Sequence, residues 1–243
     1  MIRIGIGGWN FPEWRKGVFY PEGLPQRQEL EFASRALGSI EINATYYRSQ
    51  KPESFQKWHD ETPDDFAFAV KASRFATNRR VLADAGESVQ RFLTSGITRL
   101  GPKLGPINWQ FAETKQFDAD DFAAFLNLLP DSQDGQPLRH AIEARHETFA
   151  DPKAADLCRD RNIALIRSID SKFPDIDAET ADFAYVRLMG TTDIERGYDD
   201  AALDRHARDA RRMAAGRDLY LYVISGEKHR NPACAQALME RLT

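Results

Sequence analysis

Cysteine is nearly absent from this chain: Cys158 and Cys234 are the only two in 243 residues, with no Cys-x-x-Cys pairing. That excludes a disulfide framework and a thiolate zinc site, and it fits a reducing compartment, with both thiols expected as small buried apolar groups. Histidine is equally sparse, with five in all. His59, His206 and His229 fall in helical or loop stretches, so the histidine cluster that a zinc site usually uses is missing and no metal is expected. No apolar run approaches the roughly 18 residues that a membrane span requires. The opening residues, Met1-Ile2-Arg3-Ile4-Gly5, enter an alternating pattern at once where a signal peptide would carry an apolar block, and the expectation is a cytoplasmic protein. Charge of either sign is in little excess, 33 Lys and Arg against 37 Asp and Glu, net −4. There is no overall electrostatic pull towards nucleic acid or an anionic membrane. Gly-x-Ser-x-Gly is lacking, and Gly5-x-Gly7-Gly8 lacks the spacing of a dinucleotide fingerprint, so no cofactor is expected.

What is present is periodicity. Ile2, Ile4 and Ile6 alternate with Arg3, Gly5 and Gly7, and period two returns at 39–48, 66–71, 107–111, 140–145, 163–170, 183–190 and 219–224. Helical spacing fills the intervals: Leu30, Ala33 and Leu37; Phe55 and Trp58; one long helix from Val81 to Leu100; Phe122, Phe125, Leu126 and Leu129 after Asp118; Ala154, Leu157 and Cys158 after Asp151-Pro152; Leu203, Ala207, Ala210 and Ala214; Cys234, Leu238 and Leu242 after Asn231-Pro232. Only Ser171–Asp182 has room for little more than a turn. Strands alternating with helices imply parallel pairing. The length is close to the roughly 250 residues of one barrel. The fold class is therefore α/β: a (β/α) TIM-type barrel of eight parallel strands with one crossover helix reduced or missing, in a single domain over residues 1–243.

The most informative stretch is Ser39-Ile40-Glu41-Ile42-Asn43-Ala44-Thr45-Tyr46-Tyr47-Arg48. Ile40, Ile42 and Ala44 lie on one side, Glu41, Asn43 and Thr45 on the other. In a barrel clothed by helices the polar side must face the interior, where ligand-binding groups collect at the strand carboxyl ends. The same parity sends Lys71, Asn108, Gln110, Glu143, Arg145, Asp170 and Arg187 inward, with Arg3 less firmly placed. Opposite charges occur in near-equal number and can pair, since an unpaired buried charge is too costly. The bland reading is a structural ion-pair network; the functional one is a polar pocket whose guanidinium groups suit carboxylate or phosphate and whose carboxylates do acid-base work. On the functional reading Glu41, Glu143 and His146 are the catalytic candidates. Asn43, Tyr46, Tyr47, Arg48, Lys71, Arg145, Asp170 and Arg187 bind the ligand, and Trp9 and Trp14 roof it. The aromatic loop from Trp9 to Tyr20 has an alternative, a plug that fills the barrel mouth with its own side chains. The basic face of Arg205, Arg208 and Arg212 is expected to be merely solvated.

Several motifs together resemble the YecE-like family, also called domain of unknown function 72: Gly-Gly-Trp-x-Phe-Pro-x-Trp at 7–14, Phe-Tyr-Pro at 19–21, Glu-Ile-Asn-x-Thr-Tyr-Tyr-Arg at 41–48, Val-Lys at 70–71, Lys-Leu-Gly-Pro at 103–106 and Glu-x-Arg-His at 143–146. The resemblance spans nearly the whole chain. It implies a TIM-type barrel and no established reaction. The chain departs from the family pattern at Met189-Gly190, where His-Gly is common, at Ser225-Gly226, where paired asparagines are common, and at Gln110-Phe111-Ala112-Glu113, where the family has Gln-Leu-Pro-Pro. The first expectation for function is an enzyme acting on a small polar metabolite, anionic or sugar-like, as a metal-independent hydrolase, lyase or isomerase. The alternatives are a nucleic-acid-binding or processing barrel and a non-catalytic metabolite-binding protein. The partner expected is a small-molecule ligand, not a membrane, and the sequence carries no signal of oligomeric state.

Overall fold

In the computed structural model, which describes residues 1–243, the period-two stretches form nine parallel strands of one sheet. They are β1 (Ile2–Gly7), β2 (Ser39–Ile42), β3 (Ala67–Lys71), β4 (Leu104–Gln110), β5 (His140–Glu143), β6 (Ala164–Leu165), β7 (Arg167–Ile169), β8 (Phe183–Leu188) and β9 (Asp218–Val223). The order is β6-β5-β4-β3-β2-β1-β9-β8-β7. The two ends of that order, β6 and β7, are one extended run divided at Ile166. Ile166 donates its N–H to Ile142 O on one side (2.9 Å), and Met189 donates to Ile169 O on the other (3.0 Å). The sheet thereby curls into a nearly closed barrel, and the eight strands expected become nine because the sixth is split.

Helices clothe the barrel: α1 (Glu29–Ala36), α2 (Ala44–Tyr47), α3 (Pro52–Asp60), α4 (Arg74–Thr77), α5 (Gly86–Leu93), α6 (Ala119–Asn127), α7 (Pro152–Arg159), α8 (Asp200–Met213) and α9 (Asn231–Leu242). Asp118, Asp151 and Asp199 each cap a helix by accepting a backbone N–H of its first turn. No helix intervenes between β7 and β8, as the short Ser171–Asp182 stretch implies. Two expected boundaries change. The long helix over 81–100 is instead a 3-10 turn, α5, and a second 3-10 segment at Ile97–Lys103. α5 ends at Leu93, and Gly96, with φ 102° and a closeness to Pro52 that leaves no room for a side chain, turns the chain into the second segment. The strand over 39–48 stops at Ile42. Thr45 Oγ1 donates to Ile42 O (3.1 Å) and Lys71 O (2.6 Å), so it closes strand ends in place of continuing the alternation.

Apolar side chains form two concentric shells. The outer shell lies between sheet and helices and includes Ile40, Ile42, Phe68, Val70, Leu221 and Val223 from the strands. Each such side chain, fully buried, is worth roughly 1.5–3 kcal/mol. The inner shell fills the lower barrel with small residues on one wall, Ala67, Ala69, Ala141 and Ala164, facing Phe183, Tyr185, Tyr220 and Tyr222. Small against large packs the taper without voids. At Gly5 a Cβ would lie 1.8 Å from Ser39 O, so β1 and β2 meet at a distance only glycine permits. With the lower layers occupied, charged groups have only the carboxyl end of the barrel.

Candidate functional site

Register decides who meets whom at that end. Gly7 pairs with Glu41, Glu41 with Ala69, Lys71 with Asn108, Gln110 with Glu143 and Arg187 with Tyr222. Glu41 and Glu143 are completely buried and Arg187 is 3% exposed. Arg187 lies between the two carboxylates: its Nη1 donates to Glu143 Oε1 and Oε2 at 2.7 and 2.8 Å, and its Nη2 to Glu41 Oε1 at 3.1 Å. Asn108 Nδ2 bridges the same pair from the opposite wall, at 3.2 Å to Glu41 and 3.1 Å to Glu143. The Tyr185 hydroxyl donates to Glu41 Oε2. Arg145 Nε donates to Glu143 Oε1 (2.8 Å) and its Nη2 to Gln110 Oε1 (2.6 Å), while its guanidinium stacks 4.2 Å from the centre of the Phe173 ring. Lys71 is 7% exposed, and its Nζ sits 4.7 Å from the centre of the Tyr46 ring with no protein acceptor within hydrogen-bond distance.

Electrostatics gives these groups different characters. Burial alone would push Glu143 up, but the charges of Arg187, Arg145 and Lys71 prevail and hold it down at about 2. Burial also works against the Arg187 charge, and the two carboxylates overcome it and push Arg187 up. For Lys71 burial wins: with Arg187 adding repulsion and Glu143 and Glu41 only partly offsetting it, the amine falls to about 8. Burial drives the Tyr185 hydroxyl far up, and the Glu41 charge beside it adds to the effect, so Tyr185 remains a donor. Two buried polar atoms of the cluster have no partner, Arg187 Nε and Asn108 Oδ1.

Of the residues expected at the site, Glu41, Lys71, Glu143, Arg145 and Arg187 converge, with Asn43 at the rim, where its amide donates to Glu41 O (3.3 Å), and Tyr46 above Lys71. The others do not. Trp14 is buried and donates Nε1–H to Lys228 O (2.8 Å) while packing on Phe11, Phe19 and Tyr20, so its ring is part of the outer apolar shell and presents no face to a ligand. Trp9 turns outward onto Trp58 and Phe68. The roof is Tyr46 and Phe173. Asp170 has φ 52°, which turns its half-exposed carboxylate out of the barrel to within 3.3 Å of His206 Nε2 on α8. His146 caps the 3-10 turn Glu147–Ala150, its Nδ1 accepting the Thr148 N–H, a structural task that explains its position after β5. Tyr47 and Arg48 are exposed on the turn beyond β2. The cations hold the Glu143 carboxyl well below the usual range, and it is paired with two guanidinium groups; both Glu41 oxygens also accept hydrogen bonds.

Tyr185 is the member that charge-based reading missed, although its parity with Arg187 on β8 puts it on the inward face. Ser39 and Tyr222, hydrogen-bonded at 2.7 Å, form the layer beneath. At the positions that depart from the family pattern, Met189 is buried, and Ser225 and Gly226 both have positive φ, 68° and 58°. Asparagine adopts that backbone more readily than serine. No group of three or more His, Cys, Asp and Glu side chains is arranged to hold a metal ion. The central carboxylates face cations and amide donors, a surrounding that suits no metal ion.

A family model described as "Protein of unknown function DUF72" matches residues 3–243. The chain is 31% identical over 150 residues to UPF0759 protein YecE of Escherichia coli K12, an alignment spanning 61% of this chain and half the length of that relative. Among solved structures, a DUF72 family protein from Thermotoga maritima MSB8 superposes with a TM-score of 0.76 at 23% identity, over 99% of this chain and 98% of that one. A D-psicose 3-epimerase from Clostridium cellulolyticum H10, solved with D-tagatose, superposes with a TM-score of 0.57 at 10% identity over 98% of both chains. These likenesses establish the barrel; neither structural match is near enough in sequence to carry a reaction.

Proposed function

The chain belongs to the DUF72 family, for which no reaction is described, and from that premise we propose that it is an enzyme acting on a small, polar, anionic metabolite at the carboxyl end of the barrel. The observation that carries the reading is an imbalance of charge in a buried place. Lys71, Arg145 and Arg187 stand against Glu41 and Glu143, and Lys71 is the one left without a hydrogen-bond acceptor. A buried ion pair is explicable as structure, whereas an extra ammonium beside two guanidinium groups costs stability and returns nothing to the fold. An anion binding there would neutralise the excess and meet the free Nζ. The acid-base role expected of the carboxylates passes to Lys71, whose pKa of about 8 lets it give and take a proton near neutrality. The glutamates orient the cations around it.

Access favours the same end. A cleft of about 660 Å³ runs along the loops that follow β3 and β4, lined by Asn78, Arg79, Arg80, Thr114 and Lys115. Asn78 accepts a long hydrogen bond from the Tyr46 hydroxyl (3.4 Å), so the ring covering Lys71 is anchored at the edge of this cleft. Asp118 also lines it and Lys115 is paired with Asp121 (2.6 Å), which leaves Arg79 and Arg80 as the cations available to an anionic ligand entering from solvent.

The nucleic-acid alternative has one observation behind it. Tyr47 at the end of α2 and Phe75 on α4 are 65% and 63% exposed, with Arg74 stacked 5.5 Å from the Phe75 ring centre. Aromatic faces beside arginines suit unstacked bases. Thermal unfolding of the wild type and of Lys71→Met across small carboxylates, phosphates, sugars and short oligonucleotides separates the readings. Stabilisation by small anions that weakens in the variant supports the first reading, turnover of a stabilising compound marks an enzyme over a mere binder, and stabilisation by oligonucleotides alone overturns the proposal.

A further inference from the structure

Resting on that reading, we infer that Lys71 is an imine-forming amine and that the substrate is a small aldehyde or ketone carrying an anionic group. The placement carries the idea. Lys71 ends β3, inside the barrel at its carboxyl end, with its backbone paired to Asn108 of β4. Its Nζ has no protein hydrogen-bond partner and lies against the Tyr46 ring, so its lone pair, once a proton leaves, is not committed to any protein donor. Both carboxylates nearby are engaged by other donors: Glu143 by Arg187, Arg145 and Asn108, and Glu41 by Arg187, Asn108 and Tyr185. A lysine serving only as a charge would be expected to take one of those oxygens. The unpartnered Nε–H of Arg187 and the Asn108 Oδ1 remain for a polar group of the incoming molecule.

The chemistry closes without a co-reactant. The nitrogen lone pair attacks the carbonyl carbon, a C–N bond forms, and the C=O π pair moves to oxygen. Two of the three ammonium hydrogens leave with that oxygen as water, giving a protonated imine with the same net charge as the starting ammonium. The positive nitrogen then draws electrons from the adjacent carbon, which is what lyases and isomerases of carbonyl compounds require. The neighbouring guanidinium groups hold the anionic substituent, and the low local pKa keeps a fraction of the amine neutral in the resting protein.

The test uses the intact chain with glyoxylate and glycolaldehyde phosphate, each combined with cyanoborohydride, which converts an imine into a stable secondary amine. Peptide mass spectrometry should find Lys71 modified at least tenfold faster than any other lysine, and glycolate, which has the anion but no aldehyde or ketone, should slow it. The faster of the two probes identifies carboxylate or phosphate as the favoured anion. Lys71→Arg keeps the charge and should abolish the rapid labelling while glycolate still raises the melting temperature. Labelling of Lys71 no faster than that of surface lysines, with glycolate still bound, overturns the imine and leaves the anion site standing. If neither glycolate nor either probe stabilises the wild type, the anion site falls as well.

Discussion

Replacing Glu143 by Gln removes one negative charge from the centre of the barrel and leaves its shape. Arg187 Nη1 now meets an amide where it held both carboxylate oxygens, and Arg145 Nε loses a charge-assisted acceptor. Three cations then face Glu41 alone. Two routes give the size of the effect. The drop of the Glu143 pKa from its ordinary 4.5 to about 2 corresponds to about 3 kcal/mol favouring the ionised form in the fold, at about 1.4 kcal/mol per pH unit. Removing one partner of a buried pair costs roughly 3–5 kcal/mol by general experience. The two agree on a loss of about 3 kcal/mol, which for a chain of this length lowers the melting temperature by roughly 6–12 °C. The sign with pH follows from the depressed pKa: the contribution is fully present above about 4.5 and is lost as pH falls through about 2. Urea unfolding of wild type and variant should show the gap at pH 7 and its shrinkage below pH 4.5. A loss under about 1 kcal/mol at pH 7 with an unchanged denaturant slope would refute the claim that Glu143 is the keystone of the network.

Lys71 should behave oppositely. Its fall from 10.5 to about 8 means that the charged amine destabilises the fold by about 3 kcal/mol below pH 8, a cost relieved as pH rises to 10.5. Lys71→Met should therefore raise the urea midpoint at pH 7, and the gain should vanish by pH 10.5; a variant less stable than wild type at pH 7 contradicts the unpartnered amine. Cys158 and Cys234 are free and buried, with burial pushing both thiols up to about 12. A thiol reagent should label neither quickly in native protein and both after unfolding, and fast labelling of either in native protein contradicts that placement. Trp14→Ala should cost roughly 3–5 kcal/mol, because the side chain is buried among Phe11, Phe19 and Tyr20; a loss within 1 kcal/mol, by denaturant unfolding, restores the loop to a ligand-facing role.

Local chemistry was enough to place most elements. Period two marks each strand because side chains alternate across a pleated sheet, and the aspartates at 118 and 151 mark helix starts because a carboxylate satisfies free N–H groups. Parity likewise sent Glu41, Lys71, Glu143, Arg145 and Arg187 inward, since a barrel has only two faces and the apolar one must meet the helices. Three things depended on the assembled barrel. Asp170 has the right parity for the pocket, yet a positive φ at the end of β7 turns it to α8, and backbone handedness at one residue is invisible to alternation. Trp9 and Trp14 are as apolar as any ligand platform, and only packing turns Trp9 outward onto Trp58 and buries Trp14 among Phe19 and Tyr20. The difference between Glu143 and Lys71, one tied down at low pKa and the other left free near neutrality, arises because strand register sets Arg187 between the two glutamates and leaves Lys71 beside the cations. Distances between charges on separate strands are set by barrel closure, and closure is a property of the whole chain.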